Sequence, residues 1–258
     1  MSTYIINGGQ PLTGSVRVGG AKNASYKIMI AALMADTPSR LLNFSHISDV
    51  ELVAEMSNSL GAETKLMGER AYLIDPKNLD SFALKADYGQ ASRASTMFIP
   101  ALLHRFGQAL VPYPGGDKIG RRPLDRHFAG LKALGAKVET QGEMIKVEAK
   151  QLRGTHFKFP KNTHTGTETL IMAAVKAQGT TILENAAEET EVDDLIKFLN
   201  SMGGQIKRTQ ARTIEIQGVE QLKGAIHKIM PDQNQVISFA CAALATKGDI
   251  IVENTRTQ

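Results

Sequence analysis

Apolar positions along this chain fall into alanine-rich helical runs and short β-branched strands, and the two alternate in a fixed order. Ala32 precedes Asn43 by eleven residues, Ala174 precedes Asn185 by eleven and Ala243 precedes Asn254 by eleven. Each interval predicts a helix stopped near Pro38, Gly179 or Gly248, followed by a strand that ends at the asparagine. A second helix follows, from Asp49 to Leu60 and from Glu191 to Met202, ending at Gly61 and Gly203. Both the asparagines and these glycines lie 142 residues apart. A fainter middle copy runs through Phe106 to Val111 and from His127 to Leu134, ending at Gly135. Helix termination explains Gly61, Gly135 and Gly203 without any function. Short strands at Ala71–Asp75, Met144–Val147 and Thr213–Ile216 complete units with a period of about 70 residues.

Three such units, residues 22–229, form a domain whose helices bury an apolar face against one another and whose sheets cover the outside. Residues 1–21, with a strand over Pro11–Val18, and residues 230–258, the start of a fourth unit, are assigned to a second domain. The fourth unit stops at Gln258, where the first and third continue into another helix, so the chain reads as one cut within a larger repeat protein.

Composition narrows the function without choosing it. With 258 residues and 42% hydrophobic content, the chain is long and apolar enough for one large core or two moderate ones, which excludes disorder. The net charge of +4 is balanced by 26 acidic residues and suits a small anionic substrate as readily as nucleic acid. No tryptophan and 5% aromatics disfavour a base-stacking surface. The single cysteine, Cys241, sits in the apolar run 237–244 and reads as a core thiol. No basic segment precedes a hydrophobic one and no apolar run reaches 18 residues, so the expected location is the cytoplasm, with no membrane and no nucleic-acid partner.

Two stretches carry candidate chemistry. Residues 114–127, Pro-Gly-Gly-Asp-Lys-Ile-Gly-Arg-Arg-Pro-Leu-Asp-Arg-His, hold three glycines, two prolines, four cations, two carboxylates and a histidine. That composition predicts an anion-handling loop, spanning 112–127, that runs into a helix at Asp125; a solvated surface turn is the plain alternative. Near the N-terminus, Gly19-Gly20-Ala21-Lys22-Asn23 lies at a strand-to-helix turn, where backbone amides, the Lys22 ammonium and the Asn23 amide make an anion seat. It is no P-loop, because only Ala21 separates the glycines from Lys22 and no Ser or Thr follows directly. A surface lysine beside two glycines is the plain reading here.

Gly19 to Ala24, Arg93-Ala94-Ser95 and the 114–127 loop together resemble the enolpyruvyl transferases, in particular the branch acting on UDP-N-acetylglucosamine. The resemblance covers essentially the whole chain but only the N-terminal three-fifths of a family member. It implies an α/β fold, an inside-out α/β barrel of βαβαββ units, here three complete units and part of a fourth. It further implies transfer of the enolpyruvyl group of phosphoenolpyruvate to the sugar 3-hydroxyl with loss of phosphate, by addition and elimination through a tetrahedral ketal, as a step of peptidoglycan synthesis. No cofactor and no metal are implied, and the missing C-terminal half is needed to complete the site. The shikimate-pathway branch shares the chemistry but lacks the Pro-Gly-Gly loop.

Carried over residue by residue, the resemblance makes Lys22, Arg122 and Asp117 catalytic. Lys22 and Asn23 hold the phosphoenolpyruvate phosphate and neighbouring oxygens, and Arg93 and Arg122 place positive charge beside both anions. Arg122, Pro123, Leu124, Asp125 and Arg126, with Lys161, Asn162, Thr163 and His164, bound the uridine diphosphate. The sequence departs from the family pattern at three places. Asp117 stands where most relatives have a cysteine that protonates the phosphoenolpyruvate methylene, a task a neutral carboxyl also performs. Gln233 and Gln235 replace an arginine and a glutamate, which leaves a non-catalytic sugar-nucleotide-binding paralogue as the alternative. His164 replaces a smaller residue, and either contacts the uracil or caps the following helix.

The other charges read structurally. The acidic run 188–194 suits a helix start better than a metal, His104 and Arg105 suit a helix end, and the methionines at helical spacing are core fillers.

Overall fold

The computed structural model describes residues 3–115 and 123–255. The first stretch contains β1 (Thr13–Arg17), α1 (Lys22–Ala32), β2 (Ser39–Leu42), α2 (Ser48–Ser59), β3 (Glu63–Leu66) and β4 (Ala71–Asp75). The middle unit follows with α3 (Asp87–Ala91), a 3₁₀ turn (Arg93–Phe98), α4 (Ile99–Phe106), β5 (Gln108–Pro112), α5 (Asp125–Ala133), β6 (Lys137–Gln141) and β7 (Met144–Glu148). After β8 (His156–Lys158) come α6 (His164–Ala174), β9 (Thr180–Glu184), α7 (Thr190–Ser201), β10 (Gln205–Gln210), β11 (Thr213–Gln217) and β12 (Ile226–Lys228). The chain ends with α8 (Gln233–Thr246) and β13 (Asp249–Glu253).

Helices form the centre. In α1 and α6 the residues are small or apolar on every side, Ile28 to Ala32 and Leu170 to Ala174, and nearly all of both helices is buried. Such helices pack against neighbours all round, which is why small side chains dominate them. Gly130 of α5 shows how close the approach is: a Cβ there would lie 2.1 Å from Leu170 Cδ1. The sheets lie outside, in the orders β12-β2-β4-β3, β5-β7-β6 and β10-β11-β9-β8, with β1 and β13 as a fourth, two-stranded sheet.

The expected barrel is not present. The described strands form four separate open sheets of two to four strands, and none closes or strongly curls. Strands of three to six residues in sheets this narrow cannot complete a hydrogen-bonded circuit. The units are joined instead by helix packing and by parallel strand donation. β12 returns to pair with β2, β8 pairs with β9, and β1 pairs with β13.

The repeating asparagine closes these parallel pairs. Asn43, Asn185 and Asn254 all have left-handed backbones, with φ of 58°, 54° and 60°. Their side-chain amides donate to the carbonyls of Ile229, Phe159 and Val18, at 2.9, 2.9 and 2.8 Å. Each acceptor is the residue just after β12, β8 or β1, so each asparagine clamps the incoming strand while turning its own chain. In the middle unit the corresponding place, six residues after Gly107, is Tyr113.

Cys241 corrects a sequence expectation. It is exposed, and α8 buries none of its residues although its sequence is apolar. Its neighbours Ile237 and Leu244 are also exposed, because no described element covers that face. No helix among the described residues is long and apolar enough to cross a membrane.

Candidate active site

Helix starts and short turns position the candidate residues. Lys22 is the first residue of α1, and its backbone amide donates to Asp232 Oδ2 at 2.9 Å. The other oxygen of Asp232 accepts from the amides of Asn234 and Gln235, at 2.8 and 3.2 Å. One buried carboxylate therefore caps both α1 and α8 and occupies the Lys22 amide assigned to an anion. The Lys22 ammonium is half-exposed and lies 2.5 Å from Asp49 Oδ2, in the first turn of α2; Asn23 beside it is partly buried. Gly20 bridges Pro231 and passes against Asn43, where a Cβ would lie 1.8 Å from the Asn43 carbonyl oxygen. The glycine is thus required by chain crossing, independently of any ligand.

The second cluster joins the starts of α5 and α6. Arg126 donates to the Asn162 carbonyl at 3.5 Å, and His127 Nε2 lies 3.0 Å from Thr165 Oγ1. Thr163 caps α6, its hydroxyl accepting from the Gly166 amide at 3.3 Å. Pro123, Asp125 and Lys161 are exposed, whereas Leu124 is buried and contributes packing. Arg93 opens the 3₁₀ turn, which Ser92 caps through the Ala94 amide at 3.1 Å.

His127 is buried, and its Nδ1 has no hydrogen-bond partner among the described residues. Burial pushes its pKa down to about 4, and the Arg93 and Arg126 charges push the same way, against Glu168. The imidazole is therefore neutral beside two guanidinium groups. That charge pattern also places Arg93, Arg126 and His127 in one electrostatic neighbourhood.

A third group lies one and a half turns into α1. Lys27 Nζ is 2.5 Å from Glu168 Oε2 and 3.2 Å from His164 Nε2, and His164 Nε2 is 3.3 Å from Glu168 Oε1. Both Lys27 and Glu168 are wholly buried, and neither carboxylate oxygen holds an aligned hydrogen bond, so the contacts are those of an ion pair. Burial pushes Glu168 up, but the Lys27 charge, with His164 alongside, outweighs it and holds the carboxyl below its usual range. Burial, and the charges of Glu168 and Asp49, push the nearby Tyr26 hydroxyl well up, so it stays protonated.

The structure thus links Arg93 and Arg126 with His127, Arg126 with Asn162, and His164 with Lys27 of α1, the helix that Lys22 and Asn23 open. Asp117 and Arg122 lie outside the described residues. Sequence reading missed Lys27, Glu168, Asp49 and Asp232. The available signal was a lone charge inside an apolar helix, Lys27 before Ile28-Met29-Ile30 and Glu168 before Leu170-Ile171-Met172. The acidic run 188–194 is dispersed into separate pairs: Glu188 with Arg212, Asp193 with Arg208, and Asp194 with His227 and the Met230 amide. No group of three metal-binding side chains occurs among the described residues.

The described residues thus form a helical core with open sheets outside it and with Lys22, Arg93 and Arg126 at the starts of helical segments. Residues 6–258 match the sequence profile of the family described as EPSP synthase (3-phosphoshikimate 1-carboxyvinyltransferase), and the chain belongs to this enolpyruvyl transferase family. Among curated relatives, UDP-N-acetylglucosamine 1-carboxyvinyltransferase 3 of Caldanaerobacter subterraneus subsp. tengcongensis is 42% identical over 98% of this chain and 60% of its own length. The UDP-N-acetylglucosamine 1-carboxyvinyltransferase of Halorhodospira halophila is 39% identical over 99% of this chain and 61% of its own. The chain therefore spans about three-fifths of the length of these relatives. Among solved structures, the enolpyruvyl transferase NikO from Streptomyces tendae superposes with a TM-score of 0.81 at 22% identity, covering 92% of this chain and 56% of that one. EPSP synthase from Acinetobacter baumannii gives 0.76 at 18% identity, covering 98% and 58%. These two likenesses establish the fold.

Proposed function

We propose that this chain is the larger part of an enzyme that transfers the enolpyruvyl group of phosphoenolpyruvate to the 3-hydroxyl of UDP-N-acetylglucosamine, releasing phosphate in the cytoplasm for peptidoglycan synthesis. The observation that carries the reading is the 42% identity, across 98% of the chain, to a relative named for that acceptor. The site's charge supports it. Both substrates are multiply charged anions; Lys22, Arg93 and Arg126 supply cations, to which Arg122 of the loop would add, and the helix starts of α5 and α6 add oriented amides.

In this reading Asp117 gives its proton to the methylene carbon of phosphoenolpyruvate as the sugar hydroxyl attacks the adjacent carbon. The ketal so formed then loses phosphate while a methyl proton returns to the Asp117 carboxylate, which restores the vinyl group and regenerates the acid, and the proton of the sugar hydroxyl leaves with the released phosphate. Lys22 and Arg122 hold the phosphate through both steps, and Arg126, Asn162, Thr163 and His164 border the uridine diphosphate.

The test is phosphate release by the protein joined to the remaining two-fifths of the family length, with phosphoenolpyruvate and either UDP-N-acetylglucosamine or 3-phosphoshikimate as acceptor. Release only with the sugar nucleotide is expected. Release only with 3-phosphoshikimate would reassign the acceptor, and saturable sugar-nucleotide binding without release would favour the non-catalytic paralogue. Asp117→Asn should lower turnover about 10²-fold or more, with Asp117→Cys retaining activity. Normal turnover in Asp117→Asn would move the acid to another residue.

A further inference from the structure

The buried Lys27–Glu168 pair has no evident structural purpose. Burying an ion pair between two otherwise apolar helices costs desolvation that the mutual attraction rarely exceeds, and apolar replacements of similar volume are commonly as stable. Both helices offer apolar and small neighbours, from Ile28 to Ala32 and from Leu170 to Ala174, that would accommodate such a replacement. What the pair does hold is His164. This residue opens α6 and is the one member of the trio that reaches the surface, its side chain 23% exposed against 1% for Lys27 and 0% for Glu168.

An ammonium group has three donors and no acceptor, so the 3.2 Å contact from Lys27 Nζ is a hydrogen bond only when His164 Nε2 carries a lone pair, and the 3.3 Å contact of the same nitrogen with Glu168 Oε1 is not aligned as a competing one. The proton of the neutral ring then resides on Nδ1. Glu168 remains ionised beside Lys27 and offsets its charge. We propose that Lys27 and Glu168 are positioning residues that fix His164 as an Nδ1–H donor at the edge of the site, where it serves an acceptor oxygen of the sugar-nucleotide substrate. The inference rests on the substrate assignment above for the identity of that acceptor. Its local part, the state of the ring, does not.

Because removing Lys27 alone strands a buried carboxylate, the informative variant is the paired Lys27→Met, Glu168→Leu. With histidine rings labelled in ¹⁵N, long-range proton–nitrogen spectra of the chain should show His164 protonated at Nδ1, and the paired variant should lose that preference while melting close to the parent. On calorimetric titration of the protein joined to the remaining two-fifths of the family length with UDP-N-acetylglucosamine, the paired variant and His164→Ala should each bind about 10-fold more weakly, the scale of one hydrogen bond. Combining all three substitutions should add little further loss, and phosphoenolpyruvate binding should be unchanged throughout. A parent ring protonated at Nε2, or a paired variant with parental tautomer and affinity, would overturn the proposal. Parental Nδ1 protonation with no response to the sugar nucleotide would instead overturn the substrate assignment and the acceptor with it, leaving Lys27 as the residue that sets the ring.

Discussion

The same local pattern meets opposite fates in α6 and α8. Both are apolar helices followed by a glycine, a strand and a left-handed asparagine, Asn185 or Asn254. In α6, nine of eleven residues are buried; in α8, none of fourteen is. α6 sits among α4, α5 and α7, whereas α8 packs chiefly on β13 and is otherwise held at its start by polar contacts, Gln233 with Thr190 and Gln235 with the Gly19 amide. Sequence pattern therefore fixes what an element is, and the number of partners decides how much of it leaves water.

The largest effect expected from this contrast is on activity. The 258-residue chain alone should release no measurable phosphate, and adding the remaining two-fifths of the Caldanaerobacter relative should restore release while burying α8. Activity without that addition would show that the cleft is complete on one side. Maleimide labelling of Cys241 gives a second readout, fast in the chain alone and slowed by the added part if it covers α8.

Stability should divide along the same line. Leu170→Ala in α6 should cost about 2–5 kcal/mol, because it leaves a cavity in a packed core. Leu244→Ala, 81% exposed on α8, should change stability by less than about 0.5 kcal/mol. Equal denaturation midpoints for the two would contradict the burial described.

Asp232 ties the two regions, and its loss should fall between those extremes. Asp232→Ala removes the acceptor for the amides of Lys22, Asn234 and Gln235 and should cost about 2 kcal/mol. Amide exchange should quicken at the starts of both α1 and α8. Faster exchange at α8 alone would show that the cap on α1 is dispensable.

A further contrast is the pH dependence of the buried body, to which α8 contributes no histidine. His104 Nε2 donates to the carbonyls of Met172 and Ala173 at the end of α6, and burial, helped by the Lys176 charge, pushes its pKa down to about 4. His127 is likewise at about 4. Both are depressed below the ordinary value of 6.5, so the unfolded chain binds more protons in this interval. Their stabilising contribution is present above pH 6.5 and is lost as pH falls toward 4. Denaturant midpoints measured across that window should decline, and the decline should be shallower in His104→Gln; a flat profile would argue against neutral buried rings.

Much of the architecture was legible in the residues. The eleven-residue spacing to asparagine, the glycine stops and the strand at 71–75 all appear where the pattern put them, because capping, left-handed turns and side-chain alternation act over a few residues. The anion-handling reading of 114–127 was a composition argument, and most of that stretch lies outside the described residues; at its C-terminal end the helix start expected at Asp125 is present, with Arg126 on the Asn162 carbonyl and His127 beside Thr165. That the described sheets stay open, against the barrel expected, was not legible, since closure depends on how many strands join side by side and on their register across units.

What only the tertiary structure decided are pairings between distant segments. Lys27 meets Glu168 and His164 across 137 to 141 positions, and Asp232 reaches back 210 residues to the start of α1. No local rule predicts which carboxylate will cap which helix, or that a lone lysine will find a buried counter-charge. Local sequence determined the elements and their order because backbone conformation answers to near neighbours. Burial, charge compensation and the exposure of Cys241 were set by what each finished element packs against, and that is a property of the folded whole.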